Sequence, residues 1–221
     1  MVEISTSILN IKKEEIIKKI YNLETAGTDY FHIDVMDGKF VENNTIDLML
    51  SYSEYIKQIS NIPLDIHLMV EDIENFITSY SILEPNIISF HLEACNNKEQ
   101  VFKYIDYIKK SGFKVGISIK PETNIEQIKE FLPYIHICLV MTVEPGKGGQ
   151  QLINSTINKI EMLRKYIDEN NLETFIEADG GINLENANRL KKAGVDIIVS
   201  GVAIVNAKNS KEVISKMKEI D

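Results

Sequence analysis

Histidine and aspartate alternate with apolar residues in two segments of the chain. In YFHIDVMDG, His32, Asp34 and Met36 occupy every second position, and in PLDIHLMV, His67 and Met69 follow the same alternation. Because side chains alternate between the two faces of a β-strand, each segment predicts a strand with one polar face. An unpaired charge on a buried face costs several kcal/mol, so these faces indicate ion pairs or a metal site.

A further aspartate, Asp179, closes the segment FIEADGG just before a glycine pair. If the three strand ends converge, two imidazoles and two carboxylates form an N2O2 ligand set. Such a set predicts one divalent ion, with Zn²⁺ favoured and Fe²⁺, Mn²⁺ or Co²⁺ also accepted. The alternative is that the two aspartates only accept hydrogen bonds from loop amides. The predicted ligands are His32, Asp34, His67 and Asp179.

Six of the 11 glycines lie in three short segments in the second half of the chain. Glycine lets backbone N–H groups approach an anion closely, so these loops predict a phosphate site. Tight turns between elements are the alternative for any one pair. With only two arginines in the chain, backbone amides are expected to hold the phosphate. The glycines are Gly146, Gly148 and Gly149 in EPGKGGQ, Gly180 and Gly181 in DGG, and Gly201 in SGVA.

Three methionines, Met36, Met69 and Met141, also close predicted strands. They either fill gaps in the core or wall a site that excludes water. His91, at the end of the strand in SFHLEA, is a candidate to support a ligand from behind. His136 begins a strand at the opposite end and is expected to be structural.

Short apolar runs alternate with longer amphipathic stretches along the chain, which predicts alternating strands and helices. Eight such units favour a closed (β/α)8 TIM barrel, with an open doubly wound sheet as the alternative. In a barrel, chemistry lies at the carboxyl ends of the strands, where the residues above occur. The predicted strands are Glu3–Ile8, Tyr30–Val35, Leu64–Met69, Ile87–His91, Lys114–Ile119, Ile135–Met141, Thr174–Ala178 and Asp196–Ser200.

The composition and charge of the chain disfavour several classes of protein. The formal net charge of −9 disfavours binding to nucleic acid or to an anionic membrane, since both need a basic surface. Cys95 and Cys138 have no metal-ligand spacing and are expected to be reduced packing residues. The N-terminus does not show the basic segment followed by an apolar segment that is typical of a signal peptide, and the sequence has no run of 18 apolar residues. The protein is therefore expected to be cytoplasmic. It is also expected to form one domain over residues 1–221.

Seven segments, in order from about Ser5 to Ala203, resemble the signature segments of the ribulose-phosphate 3-epimerase family. This resemblance implies a ribulose-phosphate binding barrel that interconverts D-ribulose 5-phosphate and D-xylulose 5-phosphate in the pentose phosphate pathway. It also implies one divalent metal and a homo-oligomer, either a dimer or a hexamer. The segments are HIDVMDG, DIHLMV, SFHLEA, VGISIKPET, LVMTVEPGKGGQ, EADGG and IVSGVAI.

The resemblance also implies roles for individual positions. Residues His32, Asp34, His67 and Asp179 would hold the metal, and the two aspartates would act as base and acid. Proton transfer next to a ketone fits this assignment, because a metal stabilises the enediolate and inversion needs a proton carrier on each face. The implied substrate contacts are Ser7, Met36, His67, Met69, Met141, Gly146, Lys147, Gly148, Gly149, Gly180, Gly181, Gly201 and Val202.

The chain departs from the family pattern in its loops. Thr6, Lys39 and Glu42 stand where the family usually has Pro, His and Pro. Lys147 replaces the usual Phe of PGxGG, and Val202 replaces a Ser that would donate a hydroxyl to the phosphate. These changes leave open an epimerase of another ketose phosphate, such as D-allulose 6-phosphate.

Two further hypotheses assign the barrel a function other than epimerisation. Decarboxylases and hexulose-phosphate synthases on a similar barrel place a lysine in a DxKxxD pattern, whereas this chain reads Asp34-Val-Met-Asp37. A non-catalytic phosphosugar-binding barrel would be expected to lose its acid, base or metal ligands. The four residues concerned, His32, Asp34, His67 and Asp179, are all present in this chain.

Overall fold

Eight parallel strands close into a barrel in sequence order, with the last strand hydrogen-bonded to the first. The structure is a computed structural model that describes residues 1–219, so the last two residues of the predicted domain lie outside it. The predicted (β/α)8 barrel is thereby confirmed, and the open sheet is excluded. The strands are β1 (Glu3–Ser7), β2 (Tyr30–Met36), β3 (Leu64–Met69), β4 (Ile87–His91), β5 (Lys114–Ile119), β6 (Ile137–Met141), β7 (Phe175–Asp179) and β8 (Ile197–Val199).

The predicted limits of β3, β4 and β5 agree with the observed ones, and those of the other five strands differ by one or two residues at an end, as is common where strands fray. The largest difference is at β6, which begins at Ile137 and leaves His136 just outside the strand. His136 still continues the ladder through its backbone, because its N–H donates to Val115 and its carbonyl accepts from Phe175.

Helices follow the strands around the outside of the barrel. The apolar residues of α1, Ile16, Ile20 and Leu23, are buried, and the helix ends at Gly27, whose φ of 86° suits a left-handed cap. The helices are α1 (Ile16–Ala26), α2 (Ile46–Ile59), α3 (Ile73–Ser81), α4 (Lys98–Lys110), α5 (Ser155–Glu169), α6 (Ala187–Lys192), α7 (Val202–Val205) and α8 (Ser210–Glu219).

The connection after β5 is the exception to this alternation. Two short 3₁₀ turns, Ile125–Gln127 and Leu132–Tyr134, take the place of an α-helix there. The second turn contains Pro133, which lacks the N–H that a longer helix would need. A third 3₁₀ turn, Leu92–Ala94, directly follows β4.

Two layers of apolar side chains hold the barrel. The outward face of β2, formed by Phe31, Ile33 and Val35, packs in the main core between strands and helices. A smaller apolar cluster fills the interior and includes Ile137 and Leu139 of β6. The interior of β2, β3 and β7 also holds buried polar side chains, among them His32, Asp65 and Glu177, and these mark the position of the site.

Cys95 and Cys138 are free thiols, and Cys138 is completely buried. In residues 1–219, none of the helices combines the length and the apolar character that crossing a membrane requires.

Candidate active site

Four side chains converge at the carboxyl ends of β2, β3 and β7. In the parallel ladder Asp34 pairs directly with His67, so neighbouring strands bring these two together. His32 lies one side-chain step below Asp34, and Asp179 closes β7 across the barrel. One potential ligand atom from each residue lies within 4.8 Å of those of the other three. The structure thus brings together all four predicted ligands.

The two imidazoles present ring nitrogens to the two carboxylates. His32 Nε2 lies 3.4 Å from Asp34 Oδ1 and 3.8 Å from Asp179 Oδ2. His67 Nδ1 lies 3.4 Å and 3.7 Å from the same two oxygens. Within residues 1–219 neither nitrogen makes a hydrogen bond, although both are buried. Two unpaired nitrogens and two carboxylate oxygens around one point fit a divalent first-row ion.

The electrostatics of this cluster favour positive charge. Burial lowers the pKa of His32, but the charges of Asp65 and Asp34 and the hydrogen bond to Asp65 outweigh burial and raise it well above the ordinary value. Burial and the neighbouring charge of His32 lower the pKa of His67. Without an ion, one imidazole therefore carries the compensating charge, and a divalent ion would serve the same purpose.

The two aspartates have opposite shifts. Burial raises the pKa of both, but for Asp34 the attraction of His32 and His67, whose ring nitrogens lie 3.4 Å from Oδ1, prevails, and its pKa is lowered. For Asp179, burial and the charges of Asp34 and Asp65 outweigh His32 and raise the pKa to about 7. The site therefore places an ionised carboxylate opposite a carboxyl group that holds a proton near neutral pH.

Asp34 and His32 are held in place by further polar groups. Ser7 Oγ donates to Asp34 Oδ2 at 2.8 Å, so this residue both lines the cavity and supports the carboxylate. His32 Nδ1 lies 2.6 Å from Asp65 Oδ2, which also accepts from Ser5 Oγ at 2.8 Å. A carboxylate only accepts, so this contact directs His32 Nε2 toward the cluster.

Sequence reasoning assigned no role to Asp65 or Glu177, which form a polar layer below the cluster. Both side chains are fully buried, and Glu177 Oε1 lies 4.0 Å from His32 Nδ1. Burial and the charge of Asp65 raise the pKa of Glu177 well above the ordinary value. The signal was available, because Asp65 lies two residues before His67 and Glu177 two before Asp179, on the same strand faces.

A cavity of about 330 Å³ opens above the cluster. His67 is fully buried and does not line it, whereas the other predicted contacts do. Met36, Met69 and Met141 are at most 2% exposed and wall the cavity at its base. The predicted residues along it are Ser7, Met36, Met69, Met141, Gly146, Lys147, Gly148, Gly149, Gly180, Gly181, Gly201 and Val202.

Loops from three strands meet over this cavity. In the loop after β2, which also contains Lys39 and Glu42, Asn43 Nδ2 donates to the Gly146 carbonyl at 2.7 Å. Asn10, after β1, also lines the cavity, and an added Cβ at Gly148 would lie only 2.3 Å from its side-chain nitrogen. Asn10 was not predicted from the sequence, because an isolated loop asparagine carries no distinctive pattern.

The charged residues around the opening are few. Within residues 1–219, Lys147 is the only lysine or arginine that lines the cavity. Val202, at the first position of α7, is 40% exposed. The two arginines are engaged elsewhere: Arg164 Nη1 lies 3.2 Å from Asp196 Oδ2, and Arg189 donates to Asn154 at 3.0 Å.

His91 and His136 lie in different places. His91 closes β4 with its Nε2 at 3.0 Å from His67 Nε2, directly behind the cluster. His136 lies at the opposite end of the barrel, where its Nδ1 accepts from the Val115 N–H at 3.3 Å.

Comparison with known proteins agrees with this geometry. The sequence model of the protein family described as "Ribulose-phosphate 3 epimerase family" matches residues 3–205 of this chain. The chain is 36% identical to the ribulose-phosphate 3-epimerase of Methanocaldococcus jannaschii, covering 99% of this chain and 91% of that one. It is 34% identical to the ribulose-phosphate 3-epimerase of Bacillus subtilis, covering 99% of each.

A solved structure of 3-hexulose-6-phosphate synthase is similar in fold, with a TM-score of 0.71, 11% identity and 98% coverage of both chains. At that identity the likeness concerns the barrel alone. The match over nearly the whole chain places this protein among enzymes of the epimerase class, and it belongs to the ribulose-phosphate 3-epimerase family.

Proposed function

We propose that this enzyme interconverts D-ribulose 5-phosphate and D-xylulose 5-phosphate by inverting carbon 3. The observation that carries the proposal is the convergence of His32, Asp34, His67 and Asp179 at the base of a cavity. Membership of the family supports the substrate. We also propose that the enzyme catalyses this step in the pentose phosphate pathway. A cytoplasmic location and assembly into a homo-oligomer stay predictions from the sequence.

In this proposal the four converging residues hold one divalent metal ion, with Zn²⁺ favoured. A bound ion supplies electrostatic stabilisation for the negative charge of an enediolate. The two buried ring nitrogens without hydrogen bonds and the two carboxylates support this assignment.

Asp34 and Asp179 transfer the protons. Asp34, ionised and held by Ser7, removes the proton from carbon 3 on one face of the substrate. Asp179, which closes β7 across the barrel from Asp34, delivers a proton to the other face. After the reaction Asp34 carries a proton and Asp179 is ionised, which is the state needed for the reverse direction.

The remaining lining residues bind and shield the substrate. Met36, Met69 and Met141 cover the reacting carbons with apolar surface and keep water away from the enediolate. The glycine segments after β6, β7 and β8 hold the phosphate through backbone N–H groups, with Lys147 as a cation at the rim.

One observation favours a second candidate substrate. Lys147 and Val202 both line the cavity at positions where the family pattern has Phe and Ser. They change the surface around the phosphate and so favour testing D-allulose 6-phosphate beside D-ribulose 5-phosphate.

The test is turnover of both sugars by metal-stripped protein, with and without added Zn²⁺. We expect turnover only with the ion and a strong preference for D-ribulose 5-phosphate. Preference for the hexulose phosphate would support the second candidate. Binding of both sugars without turnover of either would show a non-catalytic barrel.

A further inference from the structure

A hydrogen-bonded chain runs from the rear nitrogen of His67 away from the cluster. His67 Nε2 lies 3.0 Å from His91 Nε2, and His91 Nδ1 lies 3.1 Å from Glu93 Oε2. Both imidazoles are completely buried, and the Glu93 side chain is 21% exposed. Glu93 lies in the 3₁₀ turn after β4, beyond the residues to which a role was assigned above.

The donors around Glu93 set the direction of this chain. Glu93 Oε1 accepts from the Lys120 N–H at 2.7 Å and from the Thr123 hydroxyl. Burial raises the pKa of Glu93, but His91, the Lys120 N–H and the Thr123 hydroxyl together lower it to about 2, so the group is a carboxylate and has no proton to give. The contact at Oε2 must therefore be donated by His91 Nδ1.

The tautomers of both imidazoles follow. His91 is as buried as His32, but among the described residues it is paired with one carboxylate rather than several, so burial favours its neutral form, and a proton on His91 Nδ1 leaves a lone pair on His91 Nε2. His67 Nε2 must then donate to it, and the proton of a neutral His67 is on Nε2. His67 Nδ1, which faces Asp34 and Asp179, is left with its lone pair.

The plane of the middle ring is also fixed. Phe40 packs on His91 with ring centroids 4.8 Å apart, and Lys120 Nζ lies 4.5 Å from the centroid of the Phe40 ring. His91 therefore cannot rotate freely to exchange its two nitrogens.

We propose that Glu93 is a positioning residue that acts through His91 to keep His67 Nδ1 unprotonated and directed at the metal. The inference rests on the proposed role of His67 as a metal ligand. Carboxylates and carbonyls behind a metal-binding histidine set its tautomer and basicity in the same way. Here a second imidazole is inserted between the ligand and the carboxylate.

The substitution Glu93→Gln reverses the chain of donors. A glutamine keeps one oxygen, which Lys120 N–H and the Thr123 hydroxyl can occupy, and then turns its NH2 group toward His91. His91 must then accept at Nδ1 and donate from Nε2. This moves the proton of His67 onto Nδ1, the nitrogen that faces the cluster.

The experiment measures Zn²⁺ affinity by competition with a chelating dye. We expect Glu93→Gln to weaken Zn²⁺ binding by about ten- to a hundredfold, the range found for groups behind metal ligands. The matched control Glu126→Gln removes the same charge from an exposed side chain that pairs with Lys129, and its affinity should stay within about twofold of the parent. An affinity of Glu93→Gln within twofold of the parent would overturn the proposal.

A second readout needs neither the metal nor the Glu93 variant. The chain has four histidines, so imidazole ¹⁵N spectra of labelled metal-free parent protein can be assigned with single His substitutions. We expect His91 to be protonated at Nδ1 only, and His67 at Nε2. Protonation of His91 at Nε2 would overturn the relay. Failure of the parent to bind Zn²⁺ would instead refute the proposed metal site.

Discussion

Asp34 and Asp179 face the same ring nitrogen, since His32 Nε2 lies 3.4 Å from Asp34 Oδ1 and 3.8 Å from Asp179 Oδ2. They nevertheless differ in protonation. Asp34 accepts a hydrogen bond from Ser7, and it lies closer to both imidazoles, whose attraction lowers its pKa against the effect of burial. For Asp179, burial and the charges of Asp34 and Asp65 outweigh His32 and raise the pKa to about 7 in the metal-free site. The proposed reaction, which takes a proton on one face and gives one on the other, needs such a difference.

Replacing Val202 with serine should strengthen substrate binding. A hydroxyl at the first position of α7 adds one donor at the rim of the cavity, where Val202 is already 40% exposed. One added hydrogen bond of about 0.5–1.5 kcal/mol corresponds to a KM lower by about two- to tenfold. Steady-state kinetics of Val202→Ser beside Val202→Ala checks this. Equal KM values in the parent and Val202→Ser would show that backbone amides suffice.

Gly181→Ala should be far more damaging than Gly149→Ala. Both glycines have positive φ, 68° and 77°, so an alanine at either is strained by about 1–2 kcal/mol. A Cβ at Gly181 would also lie 2.5 Å from the Leu152 backbone nitrogen, whereas Gly149 has open space around it. Urea unfolding and KM measured on both variants check the difference. Similar losses in the two would contradict the close packing of the loop after β7.

Glu93 should contribute stability that is lost in acid. Burial raises its pKa, but the hydrogen bond and charge of His91, the Lys120 N–H and the Thr123 hydroxyl together lower it to about 2. Because the folded pKa is below the unfolded one, the contribution is complete above about pH 4.5 and disappears as the pH falls toward 2. Its full size is on the order of 3 kcal/mol.

The measurement is the difference in unfolding free energy between metal-free parent and Glu93→Gln, by urea titration at several pH values. This difference should be largest at pH 7 and smaller by about 1 kcal/mol at pH 3.5. A difference that stays constant over this range would mean that the Glu93 carboxylate is not stabilised as described.

The sequence was informative where the residue pattern is periodic. Alternation along β2 and β3 was enough to place His32, Asp34 and His67 on inward faces, because the period of a strand is two residues. The eightfold repetition of strand and helix was enough for the closed barrel, since each run carries its own apolar pattern.

Other features depend on packing that no local pattern encodes. After β5, two 3₁₀ turns take the place of an α-helix. The apolar residues of this segment, such as Ile125 and Leu132, do not by themselves distinguish these turns from a helix. The chain from His67 through His91 to Glu93 joins strands β3 and β4 with the loop after β5, where Lys120 and Thr123 lie. Its members become neighbours only once the barrel has closed.

The most direct test of the central claim is the incorporation of deuterium at carbon 3 of D-ribulose 5-phosphate in D2O, followed by NMR. We expect rapid exchange with Zn²⁺-loaded parent protein and its loss after chelation. Asp34→Asn and Asp179→Asn should each slow exchange by about a hundredfold or more while remaining folded by circular dichroism. The control Asp106→Asn changes the same group on an exposed side chain of α4 and should match the parent. Exchange within about tenfold of the parent in both Asp34→Asn and Asp179→Asn would contradict the assignment of these two aspartates as base and acid.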